Sequence, residues 1–103
     1  MRILKFPLKL RTEQMLELPA GSRLLSVGEQ GDQIMLWALV HVDYRNIQDP
    51  ILREVLVHTE THKIAIFNTG EAGRDLVDAR FIGTVQMRSG LEHHVFELNR
   101  GGW

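Results

Sequence analysis

Two histidines, His58 and His62, form the arrangement in this sequence that comes closest to a metal site. On a helix, residues four apart share one face and can bind zinc together, as in the motif H-E-x-x-H. The segment HTETH departs from that motif because its glutamate, Glu60, lies midway between the histidines. On a strand the two side chains would be about 13 Å apart, at roughly 3.3 Å per residue, which is too far for one ion. We therefore predict no metal and no cofactor, with His58 and His62 as the candidate ligands should a metal bind.

Two other groups of residues have the chemistry to bind a ligand. His41 and Asp43 follow an apolar segment at positions i and i+2, so a strand would place them on one face, as an acid–base pair or as a contact that caps a loop. The segment GEAGR could present the backbone amides of Gly70 and Gly73 and the guanidinium of Arg74 to an anion. It lacks the Lys-Ser/Thr pair of a P-loop, so the pattern is of low specificity.

The sequence assembles no recognisable catalytic set. It has no cysteine, which excludes thiolate catalysis, disulfides and cysteine-ligated zinc. Ser22, Ser26 and Ser89 do not lie in a G-x-S-x-G nucleophile elbow, so a serine hydrolase is not indicated. We predict no catalytic residues and favour a protein that is not an enzyme.

Composition predicts one soluble domain. The chain has 103 residues, of which 44% are hydrophobic and 24% charged, as is typical of a single globular domain over residues 1–103. No apolar run approaches the roughly 20 residues that cross a bilayer, and the N-terminus lacks the apolar core of a signal peptide. We expect a cytoplasmic protein with no membrane partner. The net charge of −1 argues against binding nucleic acid by phosphate neutralisation, although residues 1–23 are locally basic.

The segment RLLSVGEQGDQIMLWALVHV, residues 23–42, predicts a β-hairpin around which the domain is built. A Gly-X pair favours a two-residue type II′ turn, here at Gly31-Asp32. This turn places small residues of the first strand beside the largest residues of the second, so those large side chains can lie across their neighbours. The predicted pairs are Val27 with Leu36, Leu25 with Ala38, Ser26 with Trp37, and Gly28 with Met35.

The second strand of this hairpin is apolar on both faces. Alternate residues point to opposite sides of a strand, and a half-solvated strand would alternate apolar with polar side chains. We therefore expect a central strand with both faces covered. Trp37 is then a core residue or, alternatively, a stacking platform for a ligand. Ile34, Leu36, Ala38, Val40 and Val42 form one face, and Met35, Trp37 and Leu39 the other.

Two further segments predict single strands. Residues 4–10 alternate apolar with polar side chains, and Pro7 favours an edge position because it cannot donate to a ladder. We pair this strand with the segment that follows it, with Leu8 opposite Leu18 and Leu10 opposite Leu16. Residues 63–67 predict another strand, with Ile64 and Ile66 facing inward.

Residues 81–87 and 92–98 predict a second hairpin around Ser89-Gly90. A two-residue turn there sets Gly83 opposite Phe96 and Val85 opposite His94. In that register His94 lies on the core face, beside Val85 and Phe96, and His93 lies outside.

Residues 43–61 are compatible with two structures. Asp49-Pro50 could begin a helix, whereas the β-branched residues from Val55 to Thr61 favour an extended arm. All segments together predict an all-β fold, namely a small antiparallel β-barrel or flattened sandwich of about seven strands with this insertion. An arm that folds back within its own subunit would give a monomer, whereas an arm that crosses a two-fold axis would cover Met35, Trp37 and Leu39 of a second copy. We favour the homodimer, because an inserted extended arm presents an edge that can pair with its symmetry mate.

Six segments resemble, in order and spacing, a family of short uncharacterised proteins of tailed phages and prophage-bearing bacteria. The resemblance covers most of the chain except about residues 43–60, which read as an insertion after WALV. It implies a phage or prophage origin and a compact β domain, and it brings no activity and no catalytic residues. The segments are KFPLKL (5–10), ELPAGSRLLSVGEQ (17–30), LWALV (36–40), FNTG (67–70), FIGTVQ (81–86) and HHVFE (93–97).

Three function classes follow. The first is a non-enzymatic accessory module of a phage or prophage that binds a host protein or a small ligand. The second is a virion or assembly component that self-associates, and the third is a small metal-dependent enzyme using His58 and His62. We favour the first because of the small size, the lack of a catalytic set and the resemblance.

Overall fold

The fold is known from a computed structural model that describes residues 1–41, 48, 58–71, 76 and 78–98. Within those ranges the chain forms seven β-strands and no helix. The strands are β1 (Arg2–Leu8), β2 (Glu13–Pro19), β3 (Arg23–Gln30), β4 (Gln33–Val40), β5 (Thr59–Asn68), β6 (Arg80–Gln86) and β7 (Glu92–Glu97).

The strands form two antiparallel sheets that are not closed into a barrel. A three-stranded sheet has the order β1-β4-β3 and a four-stranded sheet the order β2-β5-β7-β6. The inner faces of the two sheets share one hydrophobic core, with Leu18, Leu36, Val40, Ile64 and Val95 fully inaccessible to solvent. The predicted all-β fold is therefore confirmed. Of the two predicted architectures, the barrel and the flattened sandwich, the described strands do not form the closed barrel.

The predicted central strand is confirmed as β4, which lies between β1 and β3. Its inward residues Ile34, Leu36, Ala38 and Val40 are buried, and Met35, Trp37 and Leu39 on the outer face are half-buried. The predicted edge position of β1 is also confirmed, with Pro7 in it. Burial on both faces explains why β4 carries no charged side chain.

The first hairpin has the predicted register near its turn and a different one farther away. Ser26 pairs with Trp37 and Gly28 with Met35, as predicted. Between Leu24 and Ser26 a bulge shifts the register, so Leu24 rather than Leu25 pairs with Ala38. Leu24 is consequently buried, and Leu25 is 38% exposed.

The turn of this hairpin is of type I′ rather than the predicted type II′. Both Gly31 and Asp32 have positive φ, 58° and 63°, whereas a type II′ turn requires a positive φ only at the first position. Aspartate tolerates this backbone conformation better than most residues. The backbone N–H of Asp32 also donates to the Glu29 carboxylate at 2.5 Å, which stabilises the turn.

The predicted pairing of β1 with β2 is wrong. Leu8 pairs with Ile34 of β4, Leu18 pairs with Glu60 of β5, and Leu10 is exposed beyond the end of β1. An alternating strand is compatible with many partners, and here β1 and β2 belong to different sheets. The connection between them is held by the Gln14 side chain, which bonds both the N–H and the C=O of Lys9.

The second hairpin forms where predicted, but its register is shifted by one residue. Its loop holds three residues, not two, because Met87 N–H donates to Leu91 C=O at 2.8 Å across it. Gly90, with φ 92°, closes that loop in the left-handed region that glycine favours. Gly83 therefore pairs with Val95, and not with Phe96 as predicted.

A one-residue shift exchanges the two faces of a strand. His93, opposite Val85, is buried on the core face, and His94 lies half-buried on the outer face. Both assignments are the reverse of the prediction. A bulge between Phe81 and Gly83 then shifts the register once more, so that Phe81 pairs with Phe96.

The prediction for residues 43–61 is tested only at its C-terminal end. Thr59, Glu60 and Thr61 belong to β5, which begins earlier than predicted. The rest of the arm or helix, apart from Gln48 and His58, lies outside the described residues.

Ile64 and Ile66 of β5 face the core, as predicted. No helix within the described ranges is long and apolar enough to cross a membrane.

Candidate functional site

The segment that follows β5 makes a tight turn, Asn68-Thr69-Gly70-Glu71. Glu71 N–H donates to Asn68 C=O at 3.1 Å, and Asn68 N–H donates to the Glu71 carboxylate at 2.7 Å. Gly70 has a φ of 82° at the third position, the glycine requirement of a type II turn. Because Glu71 closes the turn from both its backbone and its side chain, this turn is a rigid structure at the end of the four-stranded sheet.

An outer cavity of about 350 Å³ lies beside this turn, on the side of the sheet facing away from the core. Its apolar wall contains Phe67, Phe96 and Leu76, which belong to a second, smaller hydrophobic cluster. Phe96 packs edge-on against Phe67 with ring centroids 6.3 Å apart, and a tilted Phe81 lies 5.3 Å from Phe96. Phe81 is 55% exposed, so the cluster continues to the surface.

The polar wall of the outer cavity is organised around His94. Thr69 Oγ1 lies 2.7 Å from His94 Nε2 and 3.1 Å from a carboxylate oxygen of Glu92, and Thr84 Oγ1 lies 2.9 Å from Nδ1. A carboxylate only accepts, so Thr69 donates to Glu92 and accepts from His94 Nε2–H. Nδ1 then accepts from Thr84. With both ring nitrogens hydrogen-bonded, the imidazole of His94 is held in place as part of the polar wall.

An inner cavity of about 250 Å³ lies on the core side of the same turn. It lies between the turn and the segment that connects β1 to β2, and charged groups of opposite sign, Arg11 and Glu71, both line it. His93 also lines it and is only 6% exposed, and its Nδ1 has no hydrogen-bond partner within the described part of the chain. The two cavities share Asn68 and Glu71.

The structure places the two metal candidates, His58 and His62, in different environments. His62 is buried in β5 and its Nδ1 lies 2.5 Å from the Glu97 carboxylate, whereas His58 is exposed just before β5. The other oxygen of Glu97 lies 3.9 Å from Arg80, which also donates to Leu24 C=O at 3.0 Å. Across the described ranges, no three His, Cys, Asp or Glu side chains are close enough to hold one ion. The hydrogen bond from Arg80 to Leu24 connects the two sheets, whereas the contact of His62 with Glu97 lies within the four-stranded sheet.

One exposed carboxylate is tuned by its neighbours. The Thr61 hydroxyl donates to Glu17 at 2.5 Å across the β2–β5 ladder. This hydrogen bond, followed by one from Thr59, stabilises the charged form and lowers the pKa of Glu17 below its ordinary value of 4.5. The arrangement stabilises the edge strand β2.

Trp37 lies at the centre of the outer face of the three-stranded sheet. The indole lies over Gly28, the residue that the sequence register places opposite Met35, and a Cβ added to Gly28 would be 3.1 Å from Trp37 Cζ3. Ile3, opposite Leu39 on β1, is 61% exposed on the same face. Half-burial leaves Trp37 able to contact a partner.

Of the remaining sequence candidates, the structure describes His41 and Gly70, and Gly70 lines the outer cavity. His41 is exposed at the end of β4, with its ring near Gly21, and its proposed partner Asp43 lies outside the described residues. Gly70 is in the tight turn, while Gly73 and Arg74 also lie outside the described ranges. The anion site predicted for this segment therefore stays a prediction.

Sequence reasoning missed the network of His94 with Thr69, Thr84 and Glu92, and the roles of Arg11 and Glu71 at the inner cavity. The signal for His94 was the adjacent pair His93-His94, whose two residues must face opposite ways on a strand. The predicted register assigned those two faces the wrong way round. Arg11 and Glu71 are 60 positions apart in sequence, and no local pattern relates them.

Comparison with known protein families gives a match over nearly the whole chain. The family model described as "Domain of unknown function (DUF7352)" matches residues 1–102. The chain belongs to this family. Since the match spans both sheets, the DUF7352 domain includes every site described above. Neither the curated proteins nor the solved structures include a match to the chain.

Proposed function

We propose that this protein is a non-enzymatic accessory module of a phage or prophage that acts in the host cytoplasm. In this proposal it binds a host protein through the outer face of its three-stranded sheet. The observation that carries the proposal is the composition of that face, which combines an apolar centre with charged groups of a single sign. The phage origin rests on the sequence resemblance, and the choice of face rests on the geometry.

The centre of this face is apolar and accessible. Met35, Trp37 and Leu39 of β4 form a half-buried row, and Ile3 beside Leu39 is 61% exposed. Pro7, opposite Met35, extends the row along β1. A tryptophan surrounded by accessible aliphatic side chains is typical of the residues that dominate binding energy in protein interfaces.

The charged side chains on this face are basic. By the alternation of the strands, Lys5 and Arg23 share the outer face with Trp37, and the strands place no aspartate or glutamate there within the described residues. The Lys5 ammonium reaches across β4 to donate to Gln30 at 2.9 Å, which holds the charge above the sheet. A partner with an apolar patch and an acidic rim would be complementary to this face.

A second copy of the chain is the alternative occupant, either in the predicted homodimer, in which residues 43–61 of that copy would cover this face, or in a self-associating virion component. A face-to-face pairing would instead bring together two surfaces whose charges, Lys5 and Arg23, have the same sign, and like charges oppose that association. A cross-link from Ile3 to residues 43–61 of a second copy would identify the predicted homodimer. Single-stranded nucleic acid also combines stacking with negative charge, but two basic residues offer it few phosphate contacts. We therefore favour an acidic protein partner. The metal-dependent enzyme gains no support from the positions of His58 and His62.

The test is site-specific cross-linking followed by affinity measurement. A photoreactive phenylalanine analogue replaces Ile3 in cells of the organism that carries the gene, and the cross-linked protein is identified, purified and titrated calorimetrically. We expect Ile3→Glu and Lys5→Glu each to weaken its binding about tenfold or more, since one buries a charge and the other reverses one. Raising the salt concentration should weaken binding further.

Matched controls place the same changes elsewhere. Met15→Glu alters a residue of β2 that is 70% exposed, and Lys9→Glu reverses a charge beyond the end of β1. Both should leave the affinity unchanged. Cross-links only to a second copy or to nucleic acid, no cross-link at all, or an affinity insensitive to Ile3→Glu would each overturn the proposal.

A further inference from the structure

The inner cavity has walls that are fixed before any ligand binds. On one side, the segment carrying Arg11 is held by the two bonds between Gln14 and Lys9, and Thr12 C=O accepts from Ile66 N–H at 2.9 Å. On the other side, the Asn68–Glu71 turn is closed by its own two hydrogen bonds. Walls held in this way lower the ordering cost of binding.

His93 gives this cavity an unsatisfied polar group. The side chain is on the core face of β7 and more than nine-tenths buried, and its Nδ1 has no partner in the described part of the chain. Buried polar atoms are normally paired, so a lone one beside a cavity indicates an occupant that completes it. An oxygen atom of a bound molecule would supply the missing acceptor for Nδ1–H.

The charges lining the cavity are of both signs, and within the described residues neither has an oppositely charged partner. Arg11 and Glu71 both contribute to its wall, yet neither forms an ion pair with any described residue. Opposite charges that line one cavity, neither of them in an ion pair with a described residue, suit a molecule that carries the complementary pair. A carboxylate would bind Arg11, and an ammonium group would bind Glu71.

The rest of the lining sets the size and polarity of the ligand. Thr12 and Asn68 add hydrogen-bonding groups, and Leu10 and Ile66 add an apolar surface. The volume of about 250 Å³ is below the roughly 300–1,000 Å³ of pockets that hold drug-sized molecules. We infer that this cavity is a binding site for a small zwitterion with a short aliphatic group, the chemistry of a free α-amino acid.

The experiment is a titration of the ¹⁵N-labelled full chain with L-valine, followed by NMR. Saturable shifts should appear at the amides of Arg11, Thr12 and Glu71, and the Nδ1 resonance of His93 should move as it gains a partner. Isobutyrate and isobutylamine, which retain the branched chain but only one charged group each, should bind about tenfold or more weakly because each lacks one charge-assisted contact. The His93 readout separates filling of this cavity from binding elsewhere on the surface.

Two variants and two matched controls complete the test. Arg11→Gln and Glu71→Gln should each weaken L-valine binding about tenfold, the loss of one charge-assisted hydrogen bond. The new amide oxygen at position 71 can still accept from Asn68 N–H, so the turn is preserved. Lys9→Gln and Asp78→Asn remove exposed charges that do not line the cavity and should have no effect.

Three results would overturn the inference. The first is no saturable shift with L-valine, which would leave water as the occupant beside His93. The second is isobutyrate binding as tightly as L-valine, which would make the cavity an anion site. The third is equal loss of binding in Arg11→Gln and Lys9→Gln, which would indicate a diffuse effect of charge.

Discussion

Two buried histidines lie at opposite ends of the inner face of the four-stranded sheet, in different environments. His62 lies against Glu97, which Arg80 approaches from β6, and its Nε2 has no partner among the described residues; His93 has an unpaired Nδ1 and lines a cavity. A buried imidazole with a fixed carboxylate partner connects structural elements, whereas one whose unpaired nitrogen belongs to a cavity wall is available to a ligand. Histidine therefore has two different roles in this sheet. A carboxylate lies next to His62, whereas a cavity lies next to His93.

Removal of the His62 partner tests the first of these roles. Glu97→Leu leaves the buried Nδ1 without an acceptor, and we expect a loss of about 1–3 kcal/mol in the free energy of unfolding. The double variant His62→Leu/Glu97→Leu removes both polar groups and should cost less than the sum of the single changes. Urea denaturation of the four proteins measures this coupling. Strictly additive losses would show that the two side chains do not interact in solution.

The carboxylate of Glu17 provides a pH-dependent test on β2. Hydrogen bonds from Thr61 and then Thr59 lower its pKa in the folded chain, so its stabilising contribution is present above the ordinary pKa of 4.5 and is lost as the pH falls through the lowered value. Thr61→Val should raise the pKa of Glu17 toward 4.5, as followed by its carboxyl ¹³C resonance. Thr84→Val, which removes a hydroxyl that does not contact Glu17, is the control. An unchanged Glu17 titration in Thr61→Val would contradict the assignment.

At the scale of elements, the two hairpins differ from their predicted forms through local backbone irregularities. Each contains a bulge, at Leu25 in β3 and at Ile82 in β6, and each has a turn of a type other than predicted. A bulge adds one residue to one strand and exchanges the faces beyond it. This is how Leu24 becomes a core residue and Leu25 becomes exposed.

The type I′ turn of the first hairpin predicts the effect of a double change. Asn-Gly is the preferred pair for this turn, and Asp32 occupies a left-handed conformation that glycine adopts without steric cost. Gly31→Asn/Asp32→Gly should therefore raise the free energy of unfolding by about 0.5 kcal/mol. Chemical denaturation measures the change, with Ser89→Asn in the other loop as the control. A type II′ turn would instead be destabilised, because asparagine at its first position is less favourable than glycine.

At the scale of the whole molecule, β3 and β6 bring the two sheets together by packing. They belong to different sheets, and Gly83 of β6 lies against Val27 of β3, where an added Cβ would be 3.0 Å from Val27 Cγ2. A residue without a side chain is needed there because the valine methyl already occupies that space. Arg80, bonded to Leu24 C=O, makes a second contact between the same two strands.

Gly83→Val should therefore destabilise the protein by about 1–3 kcal/mol through overpacking between the sheets. The structure assigns the clash to Val27 and not to Phe96, the neighbour that the sequence register had suggested. Adding Val27→Ala to Gly83→Val should recover part of the loss, whereas adding Phe96→Ala should not. Thermal and urea denaturation distinguish the two. Recovery of stability only with Phe96→Ala would contradict this assignment and support the register predicted from sequence, in which Gly83 lies opposite Phe96.

Local sequence pattern was sufficient to predict which segments become strands. Alternation of apolar side chains predicted β1, the two-sided apolar run of β4 predicted its central place, and Gly31-Asp32 located a tight turn. These features depend on a few adjacent residues, whose chemistry is visible in the chain itself. The all-β class follows from them, and so does the register near the first turn.

Tertiary structure alone decided which strands pair over long distances and which residues meet at a site. The partner of β1 is β4 and not β2, and the faces of His93 and His94 depend on a three-residue loop and a bulge. Alternation specifies a face but not a partner, and one extra residue reverses the face, so period-two patterns cannot settle either question. Arg11, Glu71 and His93 line one cavity because three separate strand ends meet there, a result of packing that no local pattern in the sequence contains.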